Sequence, residues 1–401
     1  MKNIFRIITI TLLFVQSSIV YGQINFTNGG GDKLFSNAAN WSTGKVPTAA
    51  DKIKLDTNGD TIIVDGVYSV RQILATKVKG AFIGNGGNDT LYINGNSGIG
   101  QPIQANGTDA RVAFHLPVVL ETTVGTQTKS FATNGGGSHI KFFDVFINHS
   151  MHLSLSNPNN RANTQIHFDG KFISTKWLNI NANAKVEFGP NSDFTEHKSA
   201  VRFIGNAGNG QLTVKSAKDK FKTSDTKIWV NTGGTFNANS ENVLAATIQV
   251  DTDKILNLNI NANQASAGKI TMVSGKINLA VDSTVTNLNF ADNSDSDWGT
   301  GSIVVTGYKE DVIGFGNSSS GLTKAQLAQI DVSPDLQDGA IVPTLKLSST
   351  GELGSYDITN ESLLITGVLD GDLSGGYPKV IELYAETDIW DLTKYGIDVA
   401  S

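Results

Sequence analysis

The chain has 401 residues, with 31 lysine and arginine residues against 37 aspartate and glutamate residues, for a formal net charge of −6. The absence of cysteine excludes a disulfide framework and a thiolate metal site. Charged residues make up 17% of the chain, below the roughly 25% of an ordinary soluble domain. Because no basic excess is present to neutralise phosphates, we expect no nucleic acid partner.

The N-terminal segment is typical of an export signal. Lys2 and Arg6 lie at the start of an apolar run from Ile4 to Val20, and the small residue Gly22 follows. This order of features predicts a secretory signal peptide over residues 1–22. The alternative is an N-terminal anchor, but the run is shorter than the roughly 20 apolar residues that a membrane span needs. We find no later stretch that could span a bilayer, so we expect a protein that is secreted or on the outer cell surface.

From about residue 40 to 310, short alternating runs are separated by breaks rich in glycine, asparagine, aspartate and serine. Period-two alternation with β-branched and aromatic residues predicts strands, and no long helical pattern competes. Asparagine is common in the breaks, where its short amide tolerates left-handed backbone. Examples of the runs are Lys52–Leu55, Ile140–Ile147, Gln165–Phe168, Lys185–Phe188 and Lys227–Val230.

An internal repeat suggests how these strands are arranged. The hexapeptide Leu-Asn-Ile-Asn-Ala-Asn occurs at positions 178–183 and again at positions 258–263. This offset corresponds to about four turns of a solenoid with roughly 20 residues per turn. We therefore predict an all-β fold, a right-handed parallel β-helix over residues 23–310. The alternative is one or two antiparallel sandwiches, because Asn58 and Asn94 each precede a glycine in a typical hairpin signal.

Both ends of this region carry distinct motifs. The opening motif is Ser36–Asp51, with Asn40-Trp41-Ser42 and then a Pro-x-x-x-Asp step from Pro47 to Asp51. The closing segments are Trp298–Val305, Gly314–Gly316, Gly321–Ile330 and Gly351–Leu353. These motifs resemble those of secreted bacterial β-strand-repeat proteins, the autotransporter-like β-helices. The resemblance covers roughly residues 30–355 and implies a β-helix and export, but no activity.

Residues 311–355 are predicted to cap the solenoid. Thr323 is a suitable N-cap residue, and Lys324–Ile330 is predicted to form a short helix of one to two turns. Trp298 is interpreted as a core plug at the end of the solenoid. Trp177 and Trp229 lie within predicted strands and could stack on sugars if they face outward, but the pattern leaves their orientation open.

The last segment, residues 356–401, contains three further motifs, which are Leu363–Tyr384, Asp388–Leu392 and Tyr395–Ile397. They resemble the start of the lamin-tail-like domain of secreted Bacteroidetes proteins. The resemblance implies the first strands of an immunoglobulin-like sandwich, which needs about 100 residues in full. We therefore expect an incomplete C-terminal β-sandwich module, either because the chain is part of a longer protein or because the segment pairs with another chain.

All six histidines lie between residues 115 and 197. The separation of His149 from His167 along the chain is close to the predicted length of one turn, so we expect them side by side. With Arg161 and Lys171 as cations and Asp169 as a further neighbour, they would form a polysaccharide-lyase-like site, in which a histidine removes a proton and a cation neutralises the uronate. The structural alternative is that these histidines are exposed polar side chains stacked on one face of the solenoid. The spacing of the residues does not distinguish a catalytic site from such a face.

The acidic run at 292–297 offers alternating oxygen atoms of the kind that bind Ca²⁺. Asp292, Asn293, Asp295 and Asp297 are the candidate ligands. The run lacks the glutamate at the twelfth loop position and the flanking helices of an EF-hand, and the same residues are ordinary turn formers. Calcium is the only cofactor that the sequence suggests.

Two functions from different classes remain open. The first is a non-enzymatic extracellular or cell-surface protein in adhesion, glycan contact or display, with a polysaccharide or cell-surface glycan as partner. The alternative is a β-helix polysaccharide lyase or hydrolase that uses the histidine-rich region. An enzyme needs a groove where His149, His167, Arg161 or Lys171 converge within hydrogen-bond reach, whereas a scaffold would scatter them.

Overall fold

The computed structural model describes residues 22–57, 59–76, 79–94, 101–121, 128–149, 152–205, 209–218, 220–221, 227–335, 344–356, 363–370 and 379–385. Nearly all of the predicted signal peptide therefore lies outside the described residues. Over the described part, the chain forms a parallel β-solenoid of about 11 turns with almost no helix. The predicted β-helix is confirmed, and the alternative of antiparallel sandwiches is wrong.

The strands are short because each crosses one side of a turn before the chain bends. The first group is β1 (Gln23–Asn25), β2 (Lys52–Leu55), β3 (Asp60–Val64), β4 (Val67–Val70), β5 (Gln72–Thr76), β6 (Lys79–Gly84), β7 (Thr90–Asn94), β8 (Ile103–Asn106), β9 (Arg111–His115), β10 (Val118–Glu121), β11 (Thr128–Thr133) and β12 (His139–Phe142). The second is β13 (Phe146–Asn148), β14 (His152–Ser156), β15 (Gln165–Phe168), β16 (Phe172–Ser174), β17 (Trp177–Asn181), β18 (Lys185–Phe188), β19 (Val201–Ile204), β20 (Gly210–Val214), β21 (Lys227–Val230), β22 (Gly234–Ala238), β23 (Thr247–Val250) and β24 (Ile255–Ile260). The third is β25 (Gln264–Ala267), β26 (Ile270–Met272), β27 (Lys276–Val281), β28 (Leu288–Phe290), β29 (Ser302–Thr306), β30 (Ile313–Phe315), β31 (Ile330–Asp331), β32 (Thr344–Leu347), β33 (Leu353–Tyr356), β34 (Leu363–Asp370) and β35 (Lys379–Ala385). The α-helix α1 is Lys324–Leu327, and single 3-10 turns are at Ala38–Asn40 and Ser333–Asp335.

From β2 to β31, successive strands along the chain belong to different sheets, which is the signature of a coil. Over the described residues, sheet I has the order β1-β2-β5-β8-β11-β14-β17-β19-β21-β23-β26, and sheet II has the order β3-β6-β9-β12-β15-β18-β20-β22-β24-β27-β29-β31. The third side carries sheet III (β4-β7-β10-β13-β16) near the N-terminal end and sheet IV (β25-β28-β30) near the other. The ladders are parallel, as in β23 with β26 and β24 with β27. Each turn therefore presents one strand to sheet I, one to sheet II and, in most turns, a third.

The sequence predicts a constant turn length of roughly 20 residues, but the turns of the solenoid differ in length. One turn leads from Lys52 to its register partner Gln72, in agreement with the prediction, but another needs the much longer stretch from Lys79 to Arg111. The repeated hexapeptide does not mark equivalent positions, because residues 178–181 lie in sheet I and residues 258–260 lie in sheet II. The repeat reflects a shared strand pattern, since β17 and β24 both alternate aliphatic residues with asparagines.

One continuous hydrophobic core runs along the inside of the coil. Alternation places every second residue of a strand inward, and stacked turns bring like residues together. The clearest example is a ladder of phenylalanines on the inner side of sheet II, formed by Phe82, Phe114, Phe142, Phe168 and Phe188. Neighbouring ring centroids in this ladder are 5.0–5.3 Å apart and nearly parallel. Aromatic stacking thus links five consecutive turns through the core.

Two tryptophans of the quoted motifs close the core. Trp41 is buried and packs edge-on against Phe26 and Phe35, while its indole N–H donates to the Phe35 carbonyl at 2.9 Å. Trp298 is buried at the other end, and its indole N–H donates to the carbonyl of Ile270 at 3.2 Å. The interpretation of Trp298 as a core plug agrees with this burial.

Helix α1 begins where the sequence places its N-cap. The Thr323 hydroxyl accepts from the Gln326 backbone N–H, and the Gln326 side chain accepts in return from the Thr323 backbone N–H, forming a capping box. The helix spans Lys324–Leu327, so it is shorter than the predicted Lys324–Ile330. Ile330 instead forms strand β31, which continues sheet II beyond residue 310.

The C-terminal segment differs from the solenoid in its pairing. Strands β32 and β33 pair antiparallel, and so do β34 and β35, with Leu363 opposite Ala385. The rest of the lamin-tail-like resemblance, including Asp388–Leu392 and Tyr395–Ile397, lies outside the described residues. An incomplete sandwich module therefore stays a prediction.

Glycine is required where backbones of adjacent turns touch. A Cβ atom on Gly135 would lie 1.9 Å from the carbonyl oxygen of Gly107 in the preceding turn, whereas on Gly136 the nearest atom would be 3.9 Å away. We predict that Gly135→Ala lowers the free energy of unfolding by about 2 kcal/mol or more, as overpacking does, and that Gly136→Ala is close to neutral. Equilibrium denaturation of the two variants checks this, and equal effects would contradict the contact.

Candidate functional site

The residues His149, Arg161, His167 and Lys171 of the predicted lyase-like site do not share one side of the coil, because His149 and Lys171 flank strands of sheet III and His167 lies on sheet II. His149 directly follows β13 on sheet III and is exposed, whereas His167 lies in β15 on sheet II and is nearly buried. Lys171 precedes β16 on sheet III, and Arg161 is exposed in the connection from β14 to β15. The prediction that His149 and His167 are neighbours is wrong, because Lys141 and Glu187 are the register partners of His167.

Lys171 and Arg161 have other roles. The Lys171 ammonium forms an ion pair with Glu196 on the next turn. The backbone of Arg161 is held by Asn157, whose side chain accepts from the Arg161 N–H at 3.0 Å and donates to its carbonyl at 2.9 Å. Lys171 thus links two turns and Arg161 belongs to a local loop, and neither is paired with His167.

The structure surrounds His167 with other polar residues. Its Nδ1 atom is 3.2 Å from Glu187 Oε1, and the second Glu187 oxygen accepts from Gln165 at 3.0 Å and lies 3.1 Å from the Lys215 ammonium. A shallow groove of about 330 Å³ beside them is lined by His139, Gln165, Lys185 and Glu187 among others. We call His139, Gln165, His167, Glu187 and Lys215 the His167 cluster.

Burial makes the two histidines of this cluster weaker bases, so their rings are neutral at neutral pH. Desolvation lowers the pKa of His167, and the opposing attraction of Glu187 is the smaller effect. Desolvation, joined by repulsion from Arg111 and Lys141, also lowers the pKa of His139. A neutral imidazole next to a carboxylate could accept a proton. Here, however, the Lys215 ammonium already neutralises Glu187. The contact between His167 and Glu187 serves equally well as a structural link between two turns.

The predicted calcium ligands occupy a loop after β28 in which their oxygens already have partners. Asn293 is buried, and its side chain accepts from the Ile270 N–H and donates to the Ala291 carbonyl. Asp292 accepts from Ser294, Asp295 forms an ion pair with Lys269, and Asp297 accepts from the Gly299 N–H. Among the described residues, no group of three or more histidine, aspartate or glutamate side chains is placed to hold a metal ion. Calcium at this loop stays a prediction.

A second group of outward side chains lies on sheet I, where five residues from four consecutive turns stack on one another. They form what we call the aromatic–cation stack: His152, Trp177, Arg202, Trp229 and Lys227. The His152 ring lies 4.5 Å from the Trp177 ring at an angle of 9°. The Arg202 guanidinium carbon lies 4.1 Å from the centroid of Trp177 and 4.6 Å from that of Trp229. The Lys227 ammonium lies 4.2 Å from the Trp229 centroid.

Strand register explains why these side chains meet. His152 and Trp177 are direct partners in β14 and β17, and Arg202 and Trp229 are direct partners in β19 and β21. Residue Ala200 is opposite Trp177 by the same register and is too small to cover the indole, so the Arg202 side chain two positions further along does so. Each stack member is half-buried, which leaves its outer edge in contact with solvent.

Hydrogen bonds fix the end of the stack. Asp251 accepts from the Trp229 indole N–H at 2.8 Å and from Asn231 at 2.6 Å. The Arg202 Nε–H donates to Asn231 at 3.1 Å, and Lys227 donates to Gln249 at 2.7 Å. A shallow groove of about 560 Å³ continues from these residues across the following turns. The rings and cations are thus held in place before any ligand arrives.

The sequence carries a signal for this stack that residue-by-residue interpretation misses. Residues His152, Trp177, Arg202 and Lys227 follow one another at equal intervals along the chain, each close to one turn of the solenoid at this level. The structure also settles the orientation of Trp177 and Trp229, which both face outward. Glu187 and Lys215 of the His167 cluster have no such signal, because the spacing of register partners changes from one turn to the next.

Comparison with known proteins gives no independent assignment, since no family model, curated protein or solved structure matches this chain. Within the described residues, no helix has the length and apolar character needed to cross a membrane. The candidate sites therefore rest on geometry and chemistry alone.

Proposed function

We propose that this protein is an exported, non-enzymatic β-solenoid that acts outside the cell in adhesion, glycan contact or display. The observation that carries the proposal is the aromatic–cation stack, an ordered row of half-buried rings and cations along one flat face. Tryptophan combines an apolar ring with a polar N–H group and is a frequent residue of binding surfaces. Export and surface location rest on the N-terminal sequence pattern.

The separation of the four predicted lyase residues supports this proposal over the enzymatic alternative. A lyase needs its base and its charge-neutralising cation around one reacting sugar. His149, Arg161 and Lys171 lie away from His167, and the neighbours of His167 are already paired with one another.

Outward asparagines give the solenoid surface a second property that suits contact with glycans. Asn259 donates to Asn237 at 2.7 Å, Asn261 to Asn239 at 2.6 Å, and Asn278 to Asn257 at 2.9 Å. These side-chain ladders present regularly repeated amide groups along the side of the coil that carries sheet II. Repeated weak contacts along a rigid face would sum by avidity on a polymer.

A glycan array probed with the purified protein, together with an ultraviolet assay for unsaturated uronate, tests the proposal. We expect retained binding to at least one glycan class and no rise in absorbance with polyuronates. Formation of unsaturated product that is abolished by His167→Ala would overturn the non-enzymatic assignment. Absence of binding to every glycan would overturn glycan contact as the function.

A further inference from the structure

We infer that the aromatic–cation stack binds an acidic polysaccharide, with Arg202 and Lys227 contacting its carboxylate or sulfate groups. This inference rests on the proposed function and adds the chemical class of the ligand and the residues that recognise it. Three observations support it. They are the positive charge around the stack, the contacts that cover the faces of the indole rings, and the orientation of the stack along the solenoid axis.

The stack is a positively charged patch on a protein of net charge −6. Arg202, Lys227 and the exposed Lys176 contribute three cations, and the Asp251 carboxylate, which accepts from the Trp229 indole, offsets one of them. No carboxylate oxygen of a described residue lies within 4.0 Å of the charged nitrogens of Arg202, Lys227 or Lys176. The positive charge of this patch is therefore available to an anionic ligand, and charge complementarity favours such a partner.

The electrostatic repulsion felt by His152 shows that the positive charges of the patch lie close together. Desolvation, followed by repulsion from Arg202 and Lys176, lowers the pKa of His152. The histidine is therefore neutral at neutral pH and extends the aromatic part of the row. An anion bound between these cations would relieve the repulsion as well as gain attraction.

The faces of the indole rings argue against a neutral sugar stacked flat on tryptophan. Trp177 is covered by His152 on one side and contacted by Arg202, and Trp229 is contacted by both Arg202 and Lys227. A sugar ring would have to displace these groups to stack. The cationic groups and the edges of the rings are the parts of the stack that face solvent. The cations can bind the acidic group of a sugar, and the ring edges can contact its apolar edge.

The direction of the row favours a polymer over a single anion. Successive turns of a parallel sheet are about 4.8 Å apart, and the stack crosses four of them along the solenoid axis. The adjoining groove is lined by Lys254 and Thr271 but also by Asp251 and Asp297, so the anion site is confined to the turns of the stack itself. A chain with repeated charges can therefore contact several turns at once.

The experiment compares Arg202→Gln/Lys227→Gln with Arg111→Gln/Lys185→Gln, which removes the same charges from sheet II. Calorimetry at two salt concentrations measures how the two variants and the wild type bind four ligands. The ligands are polygalacturonate, chondroitin sulfate, neutral cellohexaose and a single-stranded DNA oligonucleotide. We expect the wild type to bind polygalacturonate or chondroitin sulfate in a salt-sensitive manner. The stack variant should lose about tenfold or more in affinity, and the sheet II variant should match the wild type.

The two acidic polymers distinguish carboxylate from sulfate recognition, and circular dichroism and melting confirm that the variants are folded. The single variant Lys227→Gln, which keeps the Arg202 sandwich, provides the test if the double variant is unfolded. Equal affinities of the stack variant and the wild type would overturn the inference while leaving glycan contact in place. Preference for cellohexaose or for DNA would also overturn it, and binding to no glycan would overturn the proposed function as well.

Discussion

Replacing Phe142 with alanine is expected to lower the free energy of unfolding by about 3–5 kcal/mol. Phe142 is 1% exposed and lies at the centre of the phenylalanine ladder. Its ring centroid is 5.0 Å from those of Phe114 and Phe168 in the adjacent turns and 4.8 Å from that of Phe146 across the corner. The truncation would remove contacts on three sides, and a rigid coil closes such a cavity poorly because its turns are fixed by the ladders.

The neighbouring residue provides a matched control. Phe143 has the same side chain but points outward, is 38% exposed, and stacks on His115 at 4.5 Å. We expect Phe143→Ala to cost about 1 kcal/mol or less. Guanidinium denaturation followed by circular dichroism gives both values. A cost for Phe143→Ala equal to that for Phe142→Ala would show that the inward register assigned to β12 is wrong.

His197 is expected to make the protein less stable as the pH falls below 6.5. Its side chain is 1% exposed among Phe172 and Phe194, with ring centroids 5.6 Å and 4.4 Å away. Burial lowers the pKa of His197 from 6.5 to about 4. Between these values the unfolded chain binds a proton that the folded chain does not, so stability is complete above pH 6.5 and falls towards pH 4.

The loss attributable to His197 should reach about 2 kcal/mol between pH 7.5 and pH 5. We expect His197→Leu to remove this part of the pH dependence, although its stability at pH 7.5 can differ from that of the wild type. The exposed His149 serves as the control, and His149→Leu should keep the full dependence. Unfolding free energies at pH 5, 6 and 7.5 provide the test. An unchanged pH slope in His197→Leu would contradict the assigned burial.

The fold is predictable because alternation and turn residues are local signals. The runs Lys185–Phe188 and Lys227–Val230 form strands at their predicted bounds. The left-handed backbone expected at asparagine breaks occurs at Asn160 and Asn183, among others. Over residues 140–147, in contrast, alternation predicts one strand where the chain forms β12 and β13 on different sheets. The pattern is misleading there because alternation continues on both sides of the corner at residues 143–145.

The spatial neighbours are less predictable, for a physical reason. Corners and loops of different length change the number of residues per turn without changing the ladder, as the turns from Lys52 and from Lys79 show. A site predicted from a constant turn length therefore joins His149 and His167, which lie on different sheets. The stack from His152 to Lys227 forms where the spacing of register partners changes by only a few residues per turn, so residues at equal intervals along the chain lie within two positions of exact register.

Crosslinking of adjacent turns tests the stacked register on which the whole account depends. The chain has no cysteine, so pairs introduced at outward positions of sheet II report on one contact at a time. Thr235 and Asn257 are direct partners in β22 and β24, and Asn278 follows on the next turn. Partners in adjacent turns lie about 4.8 Å apart, within the Cα separation that a disulfide spans, whereas two turns exceed it.

We predict that Thr235→Cys/Asn257→Cys oxidises readily to an intramolecular disulfide in the folded protein, and that Thr235→Cys/Asn278→Cys does not. Non-reducing electrophoresis and thiol titration provide the readout. Rapid oxidation of the second pair with none of the first would contradict the parallel solenoid and, with it, the aromatic–cation stack.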